Sequence, residues 1–167
     1  MKKILLASLL LACLISGGLR AADLNVADVR KDEDASVLLR GWAADIGYTA
    51  TISDSRKVVF LKDGLDYMLA IKVSASGIDR VIIYNIYKGK PSNASSRELM
   101  AIVREINMSK NVCAAYVDKD GDLVLRFVLS FDDRLSPKLF RNQIDHVKAA
   151  SQNILDEFSA KLDPYYE

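Results

Sequence analysis

The residues of this sequence that most resemble a metal site form one short acidic turn. Asp118, Asp120 and Asp122 are separated by a lysine and a glycine, and alternating carboxylates of this kind can wrap a calcium ion. An EF-hand loop needs glycine at its sixth position and a bidentate acid at its twelfth, whereas here Gly121 is fourth and Leu129 is twelfth. We therefore expect a hairpin turn without a metal, in which Gly121 has a positive φ and the aspartates accept hydrogen bonds from nearby backbone N–H groups.

Catalytic chemistry has a single histidine available, His146, which follows Asp145 near the edge of an apolar helical stripe. A catalytic histidine acts with a nucleophile or an acid that the fold places beside it, and the chain contains no G-x-S-x-G or related nucleophile motif. Residues 88–90 also lack the glycine spacing of a phosphate-binding loop. We therefore predict a surface histidine in a protein that is not an enzyme and binds no cofactor.

Three aromatic side chains, Trp42, Tyr84 and Tyr87, could together form a platform for a ligand. Aromatic residues on strands and helix faces more often pack in a core, and we predict the core for these three. The tripeptides that begin at Asn93 and Asn107 match the N-glycosylation pattern. The short, lysine-led start of the chain is typical of bacteria, so the match is weak evidence of modification.

The start of the chain has the three zones of a secretory signal peptide. Residues 1–3 are Met-Lys-Lys, residues 4–15 are almost entirely apolar, and residues 16–18 are small. The apolar run is shorter than the roughly 20 residues that a transmembrane helix needs. We therefore predict export, cleavage after Ala21 or Ala22, and no membrane span in the mature chain.

A lipid anchor is a second interpretation of the same leader, because residues 10–13, Leu-Leu-Ala-Cys, resemble a bacterial lipobox that would leave Cys13 lipidated. Cleavage after Ala22 instead removes three of the 23 basic residues and none of the 22 acidic ones, which leaves 20 against 22. That balance has no polybasic footprint for nucleic acid. Cys113 is then the only thiol, and its apolar neighbours indicate a buried strand thiol without a disulfide.

The 167 residues, half of them hydrophobic, are enough for one domain after export, and we assign it to residues 32–162. Residues 23–31 are predicted to be an exposed lead-in and residues 163–167 a tail, in which Tyr165 and Tyr166 are either disordered or an anchoring contact. Apolar residues at three- and four-residue spacing indicate a first helix that ends at Gly47. Alternating side chains then indicate four strands of an antiparallel meander. These strands are residues 48–53, 57–61, 65–73 and 78–88.

The second half of the domain is predicted to contain a helix, two strands and a last helix. Ser95 or Ser96 can cap the first of these helices, and Ser136 followed by proline starts a helix that runs to Leu162. The two strands are residues 112–117 and 123–131. The order α-β-β-β-β-α-β-β-α predicts an α+β fold, a twisted antiparallel sheet of about five to six strands flanked by helices.

The run over residues 105–158 resembles the YbjN-domain family, whose members are labelled bacterial sensory transduction regulators. The shared features are a helix-end asparagine, here Asn107, the block Tyr-x-Asp-x-Asp-Gly-Asp-Leu that begins at Tyr116, and a long last helix. The resemblance extends over most of residues 33–160 and implies a fold similar to type III secretion chaperones, no established catalytic residues, and work in protein binding. Two departures are Met108, where the family usually has tryptophan, and the leader, since the chaperone-like relatives act in the cytoplasm.

These features predict an exported, non-enzymatic module, a regulator or a chaperone-like protein, that is periplasmic or secreted. It is expected to bind a protein or peptide in the bacterial envelope through its sheet or its long helix. A homodimer through an exposed strip of the last helix depends on the same hypothesis. Two alternatives stay open: a small-ligand sensor or hydrolase with a pocket between sheet and helices, and a lipid-anchored assembly accessory held through Cys13.

Overall fold

The computed structural model describes residues 23–25, 34–54, 57–62, 65–72 and 79–166. The predicted leader with Cys13, the lead-in after Asn25, and the predicted turns at residues 63–64 and 74–77 lie outside the described residues. No helix in these described ranges combines the length and the apolar character that crossing a bilayer requires.

The described chain contains three α-helices, one short 3-10 helix and eight strands. The helices are α1 (Asp34–Asp45), α2 (Arg97–Ser109) and α3 (Pro137–Leu162), and the 3-10 helix is Pro91–Ser95. The strands are β1 (Leu24–Asn25), β2 (Thr49–Asp54), β3 (Lys57–Lys62), β4 (Leu65–Lys72), β5 (Asp79–Tyr87), β6 (Ala114–Val117), β7 (Leu123–Phe131) and β8 (Arg134–Leu135). The predicted α+β class is confirmed.

Six strands form one antiparallel sheet in the order β2-β3-β4-β5-β7-β6. The strands β2 to β5 follow one another as a meander, and α2 then leads to the β6–β7 hairpin. Within that hairpin β7 turns inward and pairs with β5 over nine residues, from Asp79↔Phe131 to Tyr87↔Leu123. The shorter β6 is therefore left at the edge, beside α2.

Local sequence signals fix the ends of the helices. The side chains of Ser96 and Ser136 accept hydrogen bonds from the backbone N–H of Leu99 and Leu139, at 3.2 Å and 3.1 Å, and so cap α2 and α3. Gly47 ends α1 with φ of 90°, and the N–H of Tyr48 reaches back to the carbonyl of helix residue 43 at 3.0 Å. This Schellman arrangement needs a positive φ, which glycine adopts without strain.

One face of the sheet packs against all three helices and forms the core. The helix α3 supplies a continuous buried stripe, and Phe140 at its start lies 5.6 Å from Trp42 of α1, ring centroid to ring centroid. The stripe consists of Phe140, Ile144, Val147, Ser151, Ile154, Phe158 and Leu162. Burial of each large apolar side chain contributes about 1.5–3 kcal/mol to folding, so this stripe stabilises the helix along its whole length.

The lead-in prediction is wrong at Leu24. This side chain is fully buried in the core, and β1 pairs with β8 through Leu24↔Leu135 and Asn25↔Arg134. A strand of two residues is too short to show a periodic pattern, so only the pairing reveals it. Leu24 therefore belongs to the core, only two residues after Ala22.

Candidate functional site

The acidic turn is a hairpin connection between β6 and β7 whose carboxylates serve the backbone. Asp118 Oδ1 accepts hydrogen bonds from the N–H groups of Asp120 and Asp122, at 2.9 Å and 3.0 Å. Gly121 has φ of 85°, and a Cβ atom there would overlap the carbonyl group of Lys90. The predicted turn, with its positive φ and its aspartate-to-backbone bonds, is confirmed.

Asp122 is a buried charge with partners from a distant part of the chain. Its carboxylate accepts a hydrogen bond from the N–H of Gly89 at 3.0 Å and one from Lys88 Nζ at 2.8 Å. Burial alone raises the pKa of Asp122, but the bonds from Lys88 and Gly89 and the lysine charge outweigh it, so the pKa lies below the ordinary value. The carboxylate is therefore held ionised as a fastening between β5 and the hairpin.

The C-terminal residues contact the same region, around Gly89 and the hairpin. The side chain of Asn93, which is buried, donates hydrogen bonds from Nδ2 to the carbonyl oxygens of Gly121 at 3.3 Å and Tyr165 at 2.9 Å. Tyr166 forms a β-bridge with Gly89, where any side chain would collide with the tyrosine ring. Of the two possibilities left open for Tyr165 and Tyr166, the structure shows the anchoring contact, because both side chains pack against the core.

We call this group, Gly89, Asn93, Gly121, Asp122 and Tyr166, the turn–tail cluster. Burial and the charges of Asp122 and Asp118 raise the pKa of Tyr166 to about 12, so its hydroxyl stays protonated. That hydroxyl is buried and finds no hydrogen-bond partner among the described residues. The turn–tail cluster joins three segments that are distant in the sequence: the end of β5 with the 3-10 helix, the hairpin and the C-terminal residues.

The second predicted sequon also has a structural use. Asn107, at the end of α2, donates from Nδ2 to the carbonyl of Ala115 and accepts from the N–H of Ala115, both at 2.8 Å. Ala115 lies on the edge strand β6, so the amide occupies the outward backbone groups that an edge leaves open. Met108, the residue after it, is 81% exposed.

The remaining candidates do not come together in the fold. His146 is exposed on α3, as predicted. Cys113 precedes β6 and is half-buried, less than predicted, and burial raises the pKa of its thiol, which disfavours the reactive thiolate. Within the described ranges no three His, Cys, Asp or Glu side chains gather into a group that could hold a metal ion.

The predicted aromatic trio is split between the two faces of the sheet. Trp42 is buried in the core, and Tyr87 packs against that core with its hydroxyl accepting a 2.7 Å bond from Asn85. Tyr84 alternates with Tyr87 along β5 and lies on the opposite side. The core prediction is therefore right for Trp42 and Tyr87 and wrong for Tyr84.

We call the side of β5, β6 and β7 that points away from the helices the outer face. Alternation with the core residues assigns ten side chains to it. They are Arg80, Ile82, Tyr84, Ile86, Ala114, Tyr116, Val124, Arg126, Val128 and Ser130. Because the buried residues of all three helices belong to the core on the other side, no described helix lies on the outer face.

The centre of the outer face brings one arginine between two tyrosines. Arg126 of β7 pairs directly with Tyr84 of β5 on one side and with Ala114 of β6 on the other, and Tyr116 is next but one along β6. Partial burial raises the pKa of Tyr116, Tyr84 and Asp118 raise it further, and the charge of Arg126 opposes them. Tyr116 was missed in the sequence, although it follows the same alternation that places Ala115 in the core.

Comparison with known proteins points to one family. Residues 35–160 match the YbjN family, described as "Putative bacterial sensory transduction regulator". A similar solved structure is "Crystal structure of YbjN, a putative transcription regulator from E. coli", with a TM-score of 0.55 at 18% identity, over 77% of this chain and 93% of that one. At that identity the likeness concerns the fold. No curated protein matches the sequence.

Proposed function

The chain belongs to the YbjN family of regulators, and from that premise we propose that it works by binding another protein on the outer face of its sheet. The observation that carries this proposal is the outer face itself. Its accessible large apolar and aromatic side chains are Val128 and Tyr116, which are 43% and 38% exposed, and the half-buried Tyr84 and Ile86. Ile82 and Val124 of the same face are buried. Exposed apolar surface on a rigid sheet is typical of an interaction site.

The long helix is a weaker candidate for the binding surface. Its apolar stripe faces the core from Phe140 to Leu162, and on its described surface Leu139 is the one large hydrophobic residue that is strongly exposed. A homodimer through a strip of this helix would therefore bury mainly charged and polar side chains. Charged residues are depleted at the centres of stable interfaces, so we place the partner on the sheet.

A non-enzymatic role fits the chemistry of the described residues. His146 is exposed, Asp118 and Asp122 of the hairpin accept hydrogen bonds from backbone N–H groups, and the Cys113 thiol is disfavoured as a thiolate. A sensor or hydrolase would instead need convergent polar groups in a cleft. Turnover of an ester or peptide substrate that disappears in His146→Ala would support that alternative over ours.

We also propose that the module acts in the bacterial envelope, on the strength of the leader alone. The leader lies outside the described residues, and Leu24, two residues after the second predicted cleavage site, is fully buried. Mass spectrometry of the mature N-terminus tests the location: cleavage after Ala21 or Ala22 is expected. A lipidated Cys13 would favour the membrane-anchored accessory, and an intact leader in the purified protein would contradict export.

Site-specific photo-crosslinking in cells tests the binding surface. A benzophenone side chain in place of Val128 reports on the outer face, and the same group at Asn153, which is exposed on α3, serves as the matched control. We expect a discrete crosslinked protein from position 128 and none from position 153. A crosslink from position 153 alone, or from neither position, would contradict the proposed surface.

A further inference from the structure

The outer face also indicates what its partner must carry. Resting on the proposed function, we propose that Arg126, between Tyr84 and Tyr116, receives a carboxylate side chain of the partner protein, an Asp or Glu set between apolar residues. The inference names the chemistry of the partner segment that covers the centre of the sheet.

Arg126 has no counter-ion among the described residues. It is half-buried, and in the part of the chain that the structure describes its guanidinium makes no salt bridge and no hydrogen bond. The hydroxyls of Tyr84 and Tyr116 likewise have no hydrogen-bond partner within the described ranges. Arg126, Tyr84 and Tyr116 are therefore three neighbouring donors on paired strands for which the described residues supply no acceptor.

A partner that covers the Arg126 guanidinium has to compensate for the water that the guanidinium loses. A guanidinium that loses water without gaining an anion is strongly destabilised, because a buried charge needs both a counter-charge and hydrogen bonds. A purely apolar partner would therefore be rejected at the position of Arg126. A partner with a carboxylate there replaces the lost water with a forked, charge-assisted pair, and the two tyrosine hydroxyls can donate to the same anion.

The apolar side chains beside Arg126 favour a partner carboxylate that has apolar residues on either side of it. One row along the sheet, Ile86 lies opposite Val124, and one row the other way, Ile82 lies opposite Val128. Val124 and Ile82 are buried, so the apolar side chains that a partner can contact on either side of Arg126 are the half-buried Ile86 and the exposed Val128. A single guanidinium balances one carboxylate. Recognition of a phosphoryl group commonly uses a cluster of arginines, whereas the other described arginine of this face, Arg80, is two rows away opposite Ser130.

Binding of synthetic peptides to the full mature protein tests the inference. Three capped 12-residue peptides would share apolar flanks and differ at one central position, which is glutamate, glutamine or phosphoserine. NMR would follow the side-chain Nε–Hε signal of Arg126 and the backbone amides of β5 and β7. We expect the glutamate peptide to shift all of these signals and the glutamine peptide to bind about tenfold more weakly, as for loss of one charged pair.

Variants assign the effect to the arginine. Arg126→Gln should weaken the glutamate peptide about tenfold and leave the glutamine peptide unchanged, while Arg80→Gln should change either affinity less than about twofold. Arg126→Lys keeps the charge but loses the fork, so an intermediate loss is expected. Circular dichroism and thermal unfolding identical to the parent protein would show that each variant is folded.

The outcomes separate this inference from the proposed function. Equal binding of the glutamate and glutamine peptides, both abolished by Val128→Lys, would overturn the carboxylate anchor and leave the outer face as the binding surface. Tighter binding of the phosphoserine peptide would also overturn it, in favour of a phosphorylated partner. Peptide shifts confined to α3, with none at Arg126, would overturn the anchor and the proposed surface together.

Discussion

The turn–tail cluster and the outer face each contain a partly or largely buried charged side chain, but only the cluster supplies that charge with partners. The Asp122 side chain is 8% exposed and has both of its partners inside the chain, Lys88 and the backbone of Gly89. Arg126 is half-buried and has no such partner among the described residues. A charge that is satisfied within the chain stabilises the fold, whereas under our proposal the partner protein completes the one that is not.

The largest loss of folding stability is expected at Gly121, the glycine of the hairpin. Gly121→Ala forces a side chain into a positive φ and against the Lys90 carbonyl, so we expect unfolding to become easier by about 3 kcal/mol in urea denaturation. Gly41→Ala is the matched control, because Gly41 lies inside α1 with no atom near a new Cβ. It should stabilise the protein by about 0.5–1 kcal/mol, and similar losses at both glycines would contradict the account.

The next largest loss of folding stability is expected at the buried carboxylate of Asp122. Asp122→Ala removes the acceptor for Gly89 N–H and Lys88 Nζ, and we expect a loss of about 2 kcal/mol in the same measurement. Asp120→Ala removes an exposed carboxylate of the same turn and should change stability by less than about 0.5 kcal/mol. Equal effects would show that the turn tolerates the loss of either charge and that the cluster is not a fastening.

Because the pKa of Asp122 is lowered, the difference in stability between the parent protein and Asp122→Ala depends on pH. Because its pKa in the folded protein is depressed, the carboxylate contributes its full stability above the ordinary value of 3.8 and loses it as pH falls through the folded value. The gap in unfolding free energy between the parent protein and Asp122→Ala should therefore narrow below pH 3.8. A gap that widens on acidification would have the wrong sign for an ionised Asp122.

A smaller loss is expected where Asn107 closes the sheet edge. Asn107→Ala removes two 2.8 Å bonds to the backbone of Ala115, which costs about 1–2 kcal/mol and reopens part of the β6 edge. Asn153→Ala on the exposed side of α3 is the control and should be nearly neutral. Size-exclusion chromatography would show self-association of Asn107→Ala alone, and an unchanged stability would remove the edge-closing role.

The smallest effect on stability is expected on the outer face. Arg126→Gln breaks no internal bond among the described residues, so unfolding should change by less than about 0.5 kcal/mol. A loss close to that of Asp122→Ala would show that Arg126 serves the fold, and the contrast between the two regions would disappear.

The order of elements was predictable because each carries its own local signal. The alternation of Leu123 to Phe131, the serines before α2 and α3, and Gly47 after α1 all act within a few residues of the boundary they define. The β1–β8 pair was missed because two residues contain no period. A side chain such as Leu24, buried by a pairing partner far along the chain, leaves no local trace.

The turn–tail cluster and the unpaired Arg126 of the outer face were harder to predict, because both depend on contacts between distant parts of the chain. The contact between Gly89 and Asp122 joins residues 33 positions apart, and no spacing rule brings them together. The outer face could have been found: Tyr84 and Tyr87 differ by three positions, so alternation in β5 already places them on opposite faces. Whether a described residue pairs with Arg126 depends on every neighbouring strand, and only the fold shows that none does.

The most direct test of the central claim is the yield of the photo-crosslink from position 128 in cells, measured in three backgrounds. The account predicts a discrete crosslinked protein in the parent background, at least about tenfold less of it with Arg126→Gln, and no change with Asp120→Ala. No crosslink from position 128, together with a strong one from position 153 on α3, would contradict a partner on the outer face.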